Sequence, residues 1–217
     1  MKPMRLFSLG TAALLLSGVS ATAQTFSFNF DSVASGTFAS SFNTPAFSFH
    51  NATYIASVDE FGDPIPGSEH WQIDTVSDTD FPVTVDTITD WETSAAYTDG
   101  NALNAQWQSV IVLFDQAYNL TDFSVTLDSD TFGFTQTIDF LSGESISDQV
   151  SIDQSVPGFI ATLNSAGSIT GFVLPSSGYY DNLTFTISAV PEPSTWPLLA
   201  GVASLAFVTT RRGRRQS

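Results

Sequence analysis

The sequence predicts an all-β protein, an antiparallel β-sandwich of the jelly-roll type, flanked by an N-terminal signal peptide and a C-terminal single transmembrane helix. Three observations point there. Apolar residues in the middle of the chain recur with a period of two, so that Phe26, Phe28 and Phe30 share one face of Thr25–Phe30. No stretch of that region carries the apolar stripe of an amphipathic helix. Turn residues separate the short runs, among them Asp63-Pro64, Pro66-Gly67, Asp99-Gly100, Pro157-Gly158 and Ser177-Gly178.

In chain order, residues 1–23 read as a signal peptide. Lys2 and Arg5 precede an apolar run from Leu6 to Val19, and Ala21 and Ala23 form an A-x-A pattern with cleavage expected after Ala23. The run of about 14 residues is short of the ~20 that span a bilayer. Residues 24–189 form the sandwich domain. Strands are expected at Thr25–Phe30, Thr53–Val58, Trp71–Val76, Val83–Ile88, Val110–Phe114, Phe123–Leu127, Thr137–Leu141, Phe159–Leu163, Ile169–Leu174 and Leu183–Ile187. The Val110–Phe114 run is continuously apolar, as in a strand covered on both faces.

Charge limits what this domain can do. The chain has 217 residues, with 22 acidic and 6 basic residues, and no Lys or Arg occurs between Arg5 and Arg211. All the acidic residues except Glu192 lie between Asp31 and Asp181. Without cations the domain cannot neutralise phosphates, so no nucleic acid is expected as a partner. Like charges repel unless ions intervene, and exported chains meet Ca²⁺, which prefers carboxylate and carbonyl oxygens. A structural Ca²⁺ is therefore expected, with a purely solubilising role for the charge as the alternative. The absence of cysteine excludes disulfides and thiol chemistry.

Catalytic patterns are weak, and no enzyme is expected. Asp128-Ser129-Asp130 begins like an EF-hand loop, but Phe132 stands where an oxygen ligand belongs, and a polar hairpin tip is expected. The acidic stretch Asp74, Asp78, Asp80, Asp86, Asp90 and Glu92 has no spacing that separates a glycosidase pair from a solvated face. Only His50 and His70 could serve as imidazole bases, and no nucleophile elbow occurs. Trp71, Trp91, Tyr97, Trp107, Tyr179 and Tyr180 are amphipathic rings able to stack on sugars or to fill a core. Trp91 and Tyr97, beside a polar loop, are the candidates for sugar stacking.

Phe30-Asp31 after the first strand, Asp99-Gly100-Asn101-Ala102-Leu103 in mid-chain and Tyr179-Tyr180-Asp181-Asn182-Leu183 in the last strand resemble the Ca²⁺-binding, galactose-binding-like jelly rolls of secreted carbohydrate-binding modules. The resemblance implies a structural Ca²⁺ tying the first strand to the last, with ligands from Asp31, Asp99 or Asn101, and Asp181.

Residues 190–217 form a distinct tail. Pro191 and Pro193 hold the chain extended, accessible to a processing enzyme. The apolar run 196–210 would span about 22 Å as a helix, against a hydrocarbon core of about 30 Å. Arg211, Arg212, Arg214 and Arg215 would stop transfer and stay cytoplasmic. The motif Pro191-Glu192-Pro193, the apolar run and the arginines, in that order, resemble the PEP-CTERM sorting signal of Gram-negative bacteria. That resemblance implies processing by exosortase, a membrane transpeptidase, after transient residence in the inner membrane. It also implies delivery to the outer surface or extracellular matrix, in the company of exopolysaccharide and biofilm. The sequence thus leads to an exported surface or matrix protein with a carbohydrate-binding or structural role. The alternatives are a secreted carbohydrate-active enzyme on the same scaffold and a simple tail-anchored structural protein.

Overall fold

The computed structural model describes residues 22–190 apart from 64, 67, 81, 88–99, 106, 130–134, 154–155, 157 and 177. The expected signal peptide (up to Ala21) and tail, including Pro191, Glu192, Pro193, the apolar run and the arginines, lie outside the described residues. So do Trp91, Tyr97 and Asp99. Among the described residues no helix is long and apolar enough to cross a membrane.

Among the described residues the domain is antiparallel β, with one six-residue helix, α1 (Thr75–Asp80), and a 3-10 turn at Ala39–Phe42. The strands are β1 (Gln24–Phe28), β2 (Thr37–Phe38), β3 (Phe47–Ile55), β4 (His70–Ile73), β5 (Thr84–Thr87), β6 (Asn101–Asn104), β7 (Ser109–Ser129), β8 (Thr135–Ser142), β9 (Ser145–Asp153), β10 (Phe159–Leu174) and β11 (Gly178–Ala189).

Two long strands, β7 and β10, organise the sheet. The second half of β7 pairs with β11 and with the start of β10, while its first half pairs with β3 and with the end of β10. One layer thus runs β2-β5-β6-β11-β7-β10, with β1 on the far half of β11. The other runs β4-β3-β7-β10-β8-β9. The β10 register breaks between Ala166 and Ile169, where Ser168 has φ 45°, so a bulge marks the passage between layers. Just beyond, Gly171 runs against β7, and a Cβ there would lie 2.4 Å from the Val112 carbonyl oxygen. Only glycine fits.

The layers close on a core of phenylalanine. Phe26 on β1 and Phe47 on β3 share no backbone ladder, yet their rings meet edge to face at 4.8 Å. Phe185 contacts Phe172 at 5.4 Å, and Phe172 contacts Phe123 at 5.1 Å, so β11, β10 and β7 all contribute. Edge-to-face pairs of this kind add about 0.5–1.5 kcal/mol each beyond burial. Val110, Val112 and Phe114 face this core, while Ile111 and Leu113 turn outward to a second cluster with Ala52, Leu141, Val173 and Trp71. The Val110–Phe114 run is thus covered on both faces, as its unbroken apolarity predicts.

The differences from expectation have local causes. The separate strands expected at Val110–Phe114 and Phe123–Leu127 are one strand, as are those at Phe159–Leu163 and Ile169–Leu174, because polar residues cross the bends without ending the ladder. The strand expected over Trp71–Val76 stops at Ile73. There Asp74 Oδ1 accepts the N–H groups of Val76 and Ser77, and its Oδ2 accepts the Ser77 hydroxyl, capping α1. These hydrogen bonds from Ser77 and Val76 hold the Asp74 carboxyl below the usual carboxylate range. β9 is an edge strand with few buried positions, too polar to show as a strand beforehand.

Candidate functional site: the junction of the first and last strands

β1 pairs antiparallel with the second half of β11, with Phe28 opposite Leu183. Beyond Phe28 the chain leaves the ladder, and Asp181 takes over the pairing. Asp181 Oδ1 accepts the Phe30 N–H at 2.9 Å, in a buried bond. Asp181 is only 1% exposed. It faces inward because of its neighbour. Asn182 has φ 50° and sits where the β7–β11 register slips between Asp181 and Thr184, a bulge that re-aims the preceding side chain. Asn182 Nδ2 donates to Asp181 Oδ2 at 3.0 Å. Asn29 links the two chains again, donating to Asn182 Oδ1 at 3.3 Å and accepting the Asp31 N–H at 3.0 Å.

Asp31 is thereby fixed one peptide away from Asp181. Its Oδ1 is buried and has no hydrogen-bond partner. The mid-chain loop closes over it: a Cβ on Gly100 would lie 2.6 Å from Asp31 Oδ1 and 3.1 Å from its Cα. Glycine at 100 lets the backbone approach where any other residue would push the carboxylate away. The next residue, Asn101, donates through Nδ2 to the Val33 carbonyl and accepts the Thr87 hydroxyl at 2.7 Å. Its side chain therefore pins the loop after Asp31 to β6 and β5.

The structure brings Asp31, Asn101 and Asp181 to one place, from three segments far apart in sequence. Their roles differ. Asp181 holds the β1 exit, Asn101 holds the loop, and Asp31 presents an oxygen to which no described residue supplies a donor. A buried carboxylate oxygen without a partner costs several kcal/mol unless a proton or cation meets it. The donors are hard oxygens alone, which fit Ca²⁺ and do not fit a soft metal. Among the described residues no group of three or more His, Cys, Asp or Glu surrounds a single point. The remaining ligands of a Ca²⁺ here would have to be backbone carbonyls, water or residues outside those described.

The other polar candidates are structurally employed. His50 Nε2 meets Ser48 Oγ at 2.9 Å, and His70, on β4, meets the Ser68 carbonyl at 2.9 Å through Nδ1. Trp71 donates to Asp139 Oδ2 at 2.7 Å, and Thr137 and Gln149 fill Asp139 Oδ1. Tyr180 is wholly buried, its hydroxyl donating to the Pro175 carbonyl at 2.7 Å, and burial drives its pKa well above the ordinary value. Tyr179 is buried as well, whereas Trp107 is 81% exposed. The sequence places Trp107 among the rings able to stack on sugars but favours Trp91 and Tyr97, because nothing local separates an exposed indole from a core one.

No family model matches this chain, and neither a curated protein nor a solved structure matches it.

Proposed function

We propose that this is an exported, non-enzymatic protein of the bacterial surface or extracellular matrix, a jelly-roll module delivered by an exosortase-processed PEP-CTERM tail. The observation that carries the reading is the tail itself. Pro191-Glu192-Pro193, a short apolar run and Arg211, Arg212, Arg214 and Arg215 follow one another in the order such a signal requires. A plain anchor accounts for the run and the arginines but gives the Pro-Glu-Pro step no role. In this reading the mature domain keeps its carboxylates and loses its arginines.

The domain's part is to persist outside the cell and to hold on to polysaccharide. A structural Ca²⁺ suits that part. Asp31 would ligate it through the orphaned Oδ1, with Asp181 alongside and the backbone at Gly100 giving room. Bound there, the ion would supply positive charge that the domain lacks and would fasten the first strand to the last. The unpartnered Oδ1 of Asp31 supports this site, and so does the absence of any Lys or Arg in the domain.

Replacing Glu192 with Ala tests delivery. The expected outcome is a full-length chain retained in the inner membrane, while the unaltered protein shows, by mass spectrometry, a mature C-terminus near Pro191–Pro193. Identical processing of both proteins would leave the plain anchor.

A further inference from the structure

A cleft of about 530 Å³ opens between the β5–β6 arm and the β3 face, within the ~300–1,000 Å³ range of ligand sites. Trp107 and Phe38 stand at its mouth, 81% and 51% exposed, and Thr84, Asn51, Asn104 and Gln108 line the remainder. We propose that this cleft binds a neutral saccharide, one sugar face lying on the Trp107 indole and its hydroxyls meeting the amides of Asn104 and Gln108.

The lining chemistry selects that ligand class by elimination. A purely apolar guest would cover Gln108 Oε1, to which no described residue donates, without giving it a hydrogen bond. An anionic guest would find no Lys or Arg, since none occurs between Arg5 and Arg211. It would also meet Asp86 directly behind the wall. Asp86 Oδ2 accepts Thr84 Oγ1 at 2.7 Å and Asn104 Nδ2 at 3.0 Å, and Ser35 Oγ reaches Oδ1 at 3.3 Å. A cationic guest would favour the indole, but both oxygens of Asp86 already accept from these donors. A sugar satisfies both halves of the cleft. Its C–H face suits an indole, and its hydroxyls donate and accept as planar amides do. The Gln108 amide is held ready for it. Gln108 is anchored through Nε2 to Ser77 Oγ, and no described residue donates to its Oε1.

The site rests on the polysaccharide reading given above, and one experiment separates the two. The full-length chain in detergent is titrated with neutral glucan, mannan and galactan hexasaccharides, and with alginate as an acidic glycan, following tryptophan emission and heat of binding. The expected result is saturable binding of a neutral hexasaccharide, weakened at least tenfold by Trp107→Ala and kept within a few-fold by Trp107→Tyr. Because the ring is exposed, Trp107→Ala should melt with the unaltered protein. Neutral-glycan binding that survives Trp107→Ala overturns the cleft and leaves polysaccharide binding standing. Binding of alginate alone overturns the neutral class. Binding of none overturns both the cleft and polysaccharide recognition by this domain.

Discussion

Asp86 and Asp31 both turn a carboxylate toward the layer built on β11, and their surroundings are opposite. Burial pushes the Asp86 carboxyl up, but hydrogen bonds from Thr84, Asn104, Ser35 and the Gly36 N–H outweigh it and hold it below the usual carboxylate range. Asp31 Oδ1 is buried with nothing to accept, and the bare Cα of Gly100 faces it. Asp139 likewise accepts hydrogen bonds on both oxygens, from Trp71, Thr137 and Gln149. The difference shows that this fold supplies donors to a buried carboxylate where structure alone is at stake. At Asp31 Oδ1 no described residue supplies one, and with no Lys or Arg in the domain, a cation from outside is the partner we propose.

The comparison breaks most visibly at Asp181. Asp181→Ala removes the acceptor of the buried Phe30 N–H and frees the exit of β1 from its hold on β11, while the Gln24–Phe28 ladder remains. A loss of about 3 kcal/mol is expected in urea unfolding of the full-length chain. A loss below ~1 kcal/mol would mean that the junction is not structural. Next in size is Gly100→Ala. Its new Cβ would stand 2.6 Å from Asp31 Oδ1, so the loop must shift at a cost of about 2 kcal/mol, and any Ca²⁺ response should weaken with it.

The smallest effect sharpens the other side. Asp86→Asn should cost about 1 kcal/mol, since the donors partly re-pair with the amide, and should leave any Ca²⁺ response intact. Its pH dependence follows from the depressed pKa. A carboxyl whose folded value lies below its unfolded one stabilises above the unfolded value, and that stabilisation fades as pH falls through the folded value. Stability of the unaltered chain should thus decline below about pH 4, with a shallower acid limb in Asp86→Asn. Equal acid limbs in the two proteins would remove Asp86 from the account.

How much of this was legible beforehand depended on what each residue's neighbours in sequence could reveal. The alternation Phe26-Phe28-Phe30 and the unbroken Val110–Phe114 run identified core strands, since burial on one face or two leaves a periodic trace. The bends of β7 and β10 left none, because Ser168 and Asp122 look like turn residues while the ladder continues through them. Asp31, Asn101 and Asp181 were recognisable as a set through resemblance alone. Their division of labour was not, for it rests on hydrogen bonds such as Asn101 to Val33 that join segments distant in sequence. Trp107 could not be ranked above the other rings for the same reason: exposure is a property of the assembled sheet.

The account turns on whether the vacancy in hydrogen bonding at Asp31 is met by a cation. The most direct measurement is the melting temperature of the full-length chain, unaltered and Asp31→Asn, in Ca²⁺ and in chelator. Ligand at 100-fold over its Kd adds about 2.7 kcal/mol to stability. The unaltered protein should therefore melt several degrees higher in millimolar Ca²⁺ than in chelator. Asp31→Asn should melt at one temperature in both, at or above the unaltered protein in chelator, because it removes the carboxylate that no described donor meets at Oδ1. Equal melting of the unaltered chain in Ca²⁺ and chelator, or a Ca²⁺ shift that persists in Asp31→Asn, would contradict the account.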